Sequence, residues 1–194
     1  MRVSRIQAEK NRQTVIDVAS RLFRERGFDG IGLKDLMEAA GLTQGAFYKQ
    51  FASKEDLAAQ ASKRALESAS MRWTAAADAN PKDPLGSVIA FYLSMGHREE
   101  AMDGCPVVAL GSDAARQGSD VKASFEAGIE SYLEFLGRLI AEADGKGPKV
   151  KRKAMAVLST MVGAVTLSRA VNDPDLGRAF LDAAARQVRE TVAA

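Results

Sequence analysis

One cysteine and one histidine in 194 residues leave little material for two broad kinds of chemistry. Cys105 has no second thiol to pair with, so an internal disulfide is excluded and a Cys/His zinc cluster lacks its ligands. Such usage suits a reducing, cytoplasmic compartment. His97 is the only imidazole available to a metal or a general base, and Glu99, Glu100 and Asp103 near it read as a charged loop. Aromatic residues make up only 6% of the chain, prolines number five, and strand-like alternation is nearly absent. No apolar run approaches the roughly 20 residues of a spanning helix, so no membrane partner is expected. The first twelve residues carry Arg2, Arg5, Lys10 and Arg12 without the apolar segment of a secretory signal. Nor is there a Gly-rich phosphate loop, and no metal or cofactor is expected.

Positive and negative charges nearly cancel, at a formal +2, yet they are unevenly placed. Residues 1–64 hold 12 Lys and Arg against 8 Asp and Glu, a balance of +4, whereas residues 65–194 hold 15 against 17, a balance of −2. A small basic N-terminal part therefore precedes a slightly acidic body, which fits a polyanionic partner for the first part alone.

Apolar residues recur at helical spacing along most of the chain. Val15, Val18, Ala19, Leu22 and Phe23 share a face of a helix over 8–26 that Gly27 stops. Leu33, Leu36, Met37 and Ala40 repeat the pattern up to Gly41. Thr43 is placed to cap a third helix reaching about Gln50, and Ser53 with Asp56 resembles a capping box opening a fourth to about Ala76. Asn80-Pro81-Lys82-Asp83-Pro84 is a clear break. Leu85, Val88, Ile89, Tyr92 and Leu93 mark a fifth helix, and Gly104-Cys105-Pro106 starts a sixth. Val121, Phe125, Ile129, Tyr132, Leu136, Leu139 and Ile140 stripe a seventh. After a Gly145-Lys146-Gly147-Pro148 turn, residues 150–170 form an eighth and 174–192 a ninth. The fold class is all-α, with about nine helices in two domains. Residues 1–52 form the first and 53–194 the second, with 53–76 as a connecting helix.

Residues 33–51, LKDLMEAAGLTQGAFYKQF, have the layout of a helix-turn-helix: a short helix, the turn Gly41-Leu42-Thr43, and a second short helix at once. Gly41 fits a left-handed turn position, and Leu36, Leu42 and Phe47 supply the small core that fixes the angle between the helices. Phe51 reads as core as well. The string AAGLTQGAFYKQFASKEDL, with an amphipathic helix before it, resembles the DNA-binding domain of the TetR/AcrR family of repressors over about residues 8–60. The rest is similar to that family in length, helix number and the segment MVGAVTLSRAVNDPDL. Three positions depart from the pattern: Met37 where a small residue is usual, Gly32 in place of a hydroxyl cap, and Gln50 where His is frequent.

Side-chain chemistry together with this resemblance assigns roles. Tyr48, Lys54, Thr43 and Lys34 are phosphate candidates. Gln44, Lys49 and Gln50 reach for base edges, glutamine matching adenine and lysine guanine. Gly45 and Ala46 leave room for close approach, and Ala46 can touch a thymine methyl. Arg2, Arg5, Lys10 and Arg12 form a flexible arm that adds charge contacts. The implied partner is a double-stranded DNA operator, which places the protein at the nucleoid.

For the larger domain the resemblance implies a small effector held within a helical bundle. Trp73, Phe91, Tyr92, Met95 and Met102 are candidate pocket residues, as are Phe125, Tyr132, Phe135, Met155 and Met161. The last two helices are apolar on two sides, with Ala154, Leu158, Met161, Val165, Ala184 and Val188 as candidates for a homodimer interface. Two readers on a two-fold axis suit a palindrome, and an effector that moves the fourth helix would alter their spacing. Cys105 precedes Pro106 at a helix start, where the dipole lowers a thiol pKa, with Arg98 as a helper if the fold brings it close. GCPVVAL resembles the cysteine context of family members that sense electrophiles. A thiol sensor of the same fold is therefore an alternative to an effector-released repressor. An all-α enzyme or carrier using Cys105 with His97 lacks a third, orienting residue. A DNA-associated protein without sequence preference would show steep salt dependence and no favoured duplex. His97 itself reads as a partly exposed helix-end residue.

Overall fold

The computed structural model describes residues 4–144 and 147–193. Arg2 and the Gly145-Lys146 half of the expected turn lie outside the described residues. Among the described residues the chain is all-α, with α1 (Arg5–Arg26), α2 (Leu33–Ala39), α3 (Gln44–Phe47), α4 (Lys54–Asp78) and α5 (Pro84–Tyr92). There follow α6 (Met95–Glu99), α7 (Pro106–Ala114), α8 (Ser119–Asp144), α9 (Val150–Ala170) and α10 (Pro174–Ala193). The helix beyond the expected nine is α6, which Ser94 caps by accepting from the His97 N–H at 3.1 Å. Its five residues are too few to show a periodic stripe. At the other end of the chain, Ser4 caps α1 by accepting from the Gln7 N–H at 3.2 Å. The expected flexible arm is therefore helical from Arg5 onward.

Two compact units divide the chain, and not at the expected 52/53 boundary. The first takes the chain up to Glu67 together with 101–126; the second takes 68–100 and the chain from Ala127 on. α4 and α8 each begin in the first unit and end in the second.

In the first unit, Val15, Ala19 and Phe23 of α1 are buried with Leu36 and Met37 of α2, Phe47 of α3 and Leu57 of α4. Apart from Ala19, each of these side chains contributes about 1.5–3 kcal/mol by leaving water. Met37, unusual for its size, is part of this core. α1 also holds the segment before α7. Arg21 donates to both carboxylate oxygens of Asp103, at 3.0 and 2.9 Å. The buried Arg24 donates to the carbonyls of Ser20 and Gly104, at 2.9 and 3.0 Å. A buried guanidinium is tolerable only when bonded in this way, and these bonds, with the packing of α7 on α1, tie the segment that begins at 101 to the N-terminal helices.

In the second unit, the buried Trp73 ring lies stacked on Tyr132 at 4.6 Å and edge-on to Tyr92 at 5.4 Å. α9 and α10 pack antiparallel, since Lys153 at the start of α9 donates to the carbonyl of Val192 at the end of α10, at 2.8 Å. Two arginines tie α6 to the end of α9. Arg98 donates to the carbonyls of Ser168 and Val171, while Arg169 donates to those of His97, Arg98 and Glu100, all within 2.7–3.1 Å.

Candidate nucleic-acid interface

The turn between α2 and α3 is closed by its own backbone. Leu42 N–H donates to Met37 O and Gly41 N–H to Glu38 O, both at 2.9 Å, which is the Schellman pairing. Gly41 takes φ +70°, and a Cβ added there meets nothing within 4 Å. Glycine is thus required by the backbone conformation and not by lack of space. Thr43 holds the N-cap position of α3, but its side chain makes no capping bond, contrary to the sequence reading. α3 itself spans only Gln44–Phe47, and residues 48–50 continue as turns where helix was expected.

Phe47 anchors the short helix, its buried ring stacked on Phe51 at 5.3 Å and edge-on to Tyr48 at 5.4 Å. With that face fixed inward, Tyr48 is 68% exposed, and Thr43, Gln44, Gly45 and Lys49 are exposed beside it. Ala46 is half-buried, and Lys34 is exposed on α2. Gln50 departs from expectation. It is half-buried, and its Oε1 is shielded from solvent with no hydrogen-bond partner among the described residues, so that oxygen is not offered to a base edge.

Lys54 is the first residue of α4 and half-buried. The helix start it occupies is already served. Ser53 Oγ accepts from the Asp56 N–H, and Asp56 Oδ2 accepts from the Ala52 N–H, both at 3.0 Å. A carboxylate in this place competes with an incoming anion, which leaves the Lys54 ammonium, and not the helix N-terminus, as the positive group here. Of the N-terminal cations, Arg5 and Lys10 are exposed on α1, whereas Arg12 is half-buried and bonded to Gln60, which removes it from the expected charged arm.

The expected pocket residues are divided between the two units. Met102, Cys105 and Phe125 belong to the first unit; Trp73, Phe91, Tyr92, Met95 and Tyr132 belong to the second. Within the second unit an open cleft of about 780 Å³ runs along α4, α8 and the start of α9. Trp73, Tyr132 and Phe135 line it, and Phe91, Tyr92, Met95, Met155 and Met161 do not. Thr74, Glu134 and Arg138 are polar wall residues that the apolar stripes could not reveal. Arg138 stands 5.6 Å from the centroid of the Phe135 ring.

His97 is buried and not partly exposed as expected. Its Nδ1 lies 2.7 Å from Tyr92 O, and its ring sits beside those of Phe91 and Tyr92. Burial holds its pKa below the usual 6.5, helped by the positive charges of Arg169 and Arg72 and opposed by the bond to Tyr92. Arg98 is committed to the carbonyls at the end of α9. Cys105 is the N-cap residue of α7 and only 2% exposed, and a thiol reagent reaches it only after local opening. Cys105 and His97 belong to different units. Glu100 pairs with Arg72 at 2.6 Å and Asp103 with Arg21 at 2.9 Å. No group of three His, Cys, Asp or Glu among the described residues is placed to hold a metal ion.

All six residues expected at a dimer interface, Ala154, Leu158, Met161, Val165, Ala184 and Val188, are buried within the single chain. They sit on the inward sides of α9 and α10, which pack against each other. The large apolar side chains these two helices leave on the surface are Met155, Leu167 and Leu176, each 45–50% exposed. No helix among the described residues is long and apolar enough to cross a membrane.

A family model described as "Bacterial regulatory proteins, tetR family" matches residues 15–61, which hold most of α1, all of α2 and α3, and the start of α4. The HTH-type transcriptional regulator AcrR of Shigella flexneri is 41% identical over 56 residues, 29% of this chain and 26% of that protein. The HTH-type transcriptional repressor NemR of Escherichia coli (strain K12) is 23% identical over 132 residues, 66% of each chain. The chain thus matches about a quarter of the first relative's length and just under two thirds of the second's. Among solved structures, a TetR transcriptional regulator from Chloroflexus aurantiacus superimposes with a TM-score of 0.80 at 26% identity, covering 97% of this chain and 96% of that one.

Proposed function

We propose, from the match of residues 15–61 to the tetR family of bacterial regulatory proteins and the likeness of the whole fold to a TetR regulator, that the chain is a dimeric repressor of that family, which binds a palindromic DNA operator and leaves it when a small molecule binds. The observation that carries this reading is the division of α3 and its flank. Phe47 and Phe51 are turned inward, and Gln44, Tyr48 and Lys49 are presented outward from a turn closed by Gly41. In that arrangement Tyr48 and Lys54 hold phosphates and so set the register. Gln44 and Lys49 distinguish bases in the major groove. Repression, in place of activation, is supported by the likeness to a relative named as a repressor.

Dimerisation is supported by the composition of α9. From Ala154 to Ser168 it carries no charged residue, although one side of it faces outward with Met155, Ser159, Thr166 and Leu167. An uncharged exposed face of that length fits a second copy of the helix pair. The cleft along α4 and α8 is the candidate effector site. α4 contributes to both units, so a ligand that shifts it alters how the two reading helices of a dimer are held.

Selection from a random duplex pool by the full-length chain tests the proposal. The expected result is enrichment of an inverted repeat. Lys54→Ala should weaken binding to every duplex, whereas Gln44→Ala should change the preferred sequence. Equal retention of all duplexes would contradict it. Effector candidates are then screened by the emission of Trp73, the only tryptophan, which lies in the cleft wall.

A further inference from the structure

Arg12 is among the cations expected to reach for phosphate, and the structure employs it otherwise. Its guanidinium stands 5.3 Å from the centroid of the Phe51 ring and donates to Gln60 Oε1 on α4. Gln60 Nε2 in turn donates to Asp56 Oδ1 at 2.7 Å, and Asp56 Oδ2 accepts from the backbone N–H of Ala52 at 3.0 Å. The contacts therefore run from α1 to Phe51 and Ala52, within the segment that joins α3 to α4. Phe51 is itself stacked on Phe47 of α3. A second rung crosses between the same two long helices, where Arg64 on α4 donates to Asp17 on α1 at 2.7 Å. That rung holds helix to helix; the Arg12 rung also reaches the joint behind α3.

A guanidinium suits this position because its face lies over a ring while its edge donates, and an ammonium cannot do both equally well. Gln60 is bonded at both ends of its amide, with oxygen toward Arg12 and nitrogen toward Asp56, so the direction of the chain is defined. The setting is partly buried, which strengthens such bonds relative to an open surface.

From this arrangement we infer that Arg12 is a positioning residue for DNA reading. Through Phe51 and the Gln60–Asp56–Ala52 chain it sets the angle at which α3 presents Gln44, Tyr48 and Lys49, without touching DNA itself. The inference rests on the DNA-reading function proposed above. It differs measurably from a phosphate contact. Losing a phosphate contact flattens the dependence of log K on log salt by about one for each chain bound. Losing a positioning residue weakens binding and leaves that slope in place.

The test uses the full-length chain and two probes: a duplex enriched from a random pool by the wild type, and a shuffled duplex of equal length. Binding is followed by fluorescence anisotropy across a salt series, with melting temperatures measured in parallel. Arg12→Gln and Gln60→Ala are each expected to weaken the enriched duplex about tenfold at unchanged salt slope, with the shuffled duplex unaffected. The double variant should be little weaker than the weaker single one, because both substitutions cut one chain. Arg12→Lys should retain more affinity than Arg12→Gln. A shallower slope for Arg12→Gln with a silent Gln60→Ala would make Arg12 a phosphate contact and overturn the inference. Unchanged affinity with a lowered melting temperature would also overturn it, leaving only a brace of the fold. A wild-type chain that enriches no duplex overturns the DNA-reading proposal and the inference together, an outcome distinct from the other two.

Discussion

At the scale of single residues, the side chains that differ most from their sequence reading are those whose partners are remote in the chain. Gly41, Phe47 and Phe51 were legible because their roles are local: a turn of fixed hand, and ring contacts one helical turn apart. Arg12 and His97 were not, since Gln60 lies 48 residues from the first and the burial of the second depends on tertiary packing. His97 has a consequence in pH. Its folded pKa lies below the unfolded value near 6.5, so between the two values the unfolded chain binds more protons. The stabilisation is complete above about 6.5 and is lost as pH falls through the window below it. Lowering the pH from about 7 to about 5 should therefore lower the melting temperature of the wild type more than that of His97→Gln. Parallel profiles for the two would show that His97 is not the group involved. Cys105 is buried, so its labelling by maleimide should be slow in the folded chain and fast in urea. Equally fast labelling in both states would contradict its placement.

At the scale of elements, the helix pattern was largely readable and the exceptions have physical causes. Gly and Pro signals marked ends of α1, α2, α5 and α7, and Ser53 with Asp56 the start of α4, while α6 is held by one serine cap, by its own Arg98 and by Arg169 of α9. α9 was recognisably apolar on two sides, but periodicity alone does not say which side faces its own chain. Ala154 and Ala184 turned out to be buried within the chain, where α9 and α10 pack on each other, leaving Met155, Leu167 and Leu176 outside. The α2–α3 turn offers the sharpest element-level prediction. Gly41→Ala should destabilise the chain by about 1 kcal/mol in urea unfolding, from the positive φ alone, since no neighbour opposes the added methyl. A loss several times larger would mean that space, and not backbone conformation, limits this position.

At the scale of the whole molecule, the chain divides into two units interleaved in sequence in place of the expected boundary after residue 52, and Arg21 and Arg24 bind Asp103 and Gly104 to α1. No local signal announces such a pairing, as Asp103 lies 82 residues from Arg21. The proposed dimer belongs to this scale too. Leu167→Glu places a charge on the exposed face of α9 and should convert the dimer to a monomer in sedimentation, with operator affinity falling in step. An unchanged sedimentation coefficient would move the interface elsewhere. The central claim is that two copies of this chain read one inverted repeat through paired α3 helices. Its most direct test is a titration of the chain against the enriched duplex and against a duplex of the same length in which one half-site is scrambled, with stoichiometry read by sedimentation. The account predicts two chains on the intact duplex and at least about a hundredfold weaker binding to the half-site; equal affinity for both, at one chain per duplex, would contradict it.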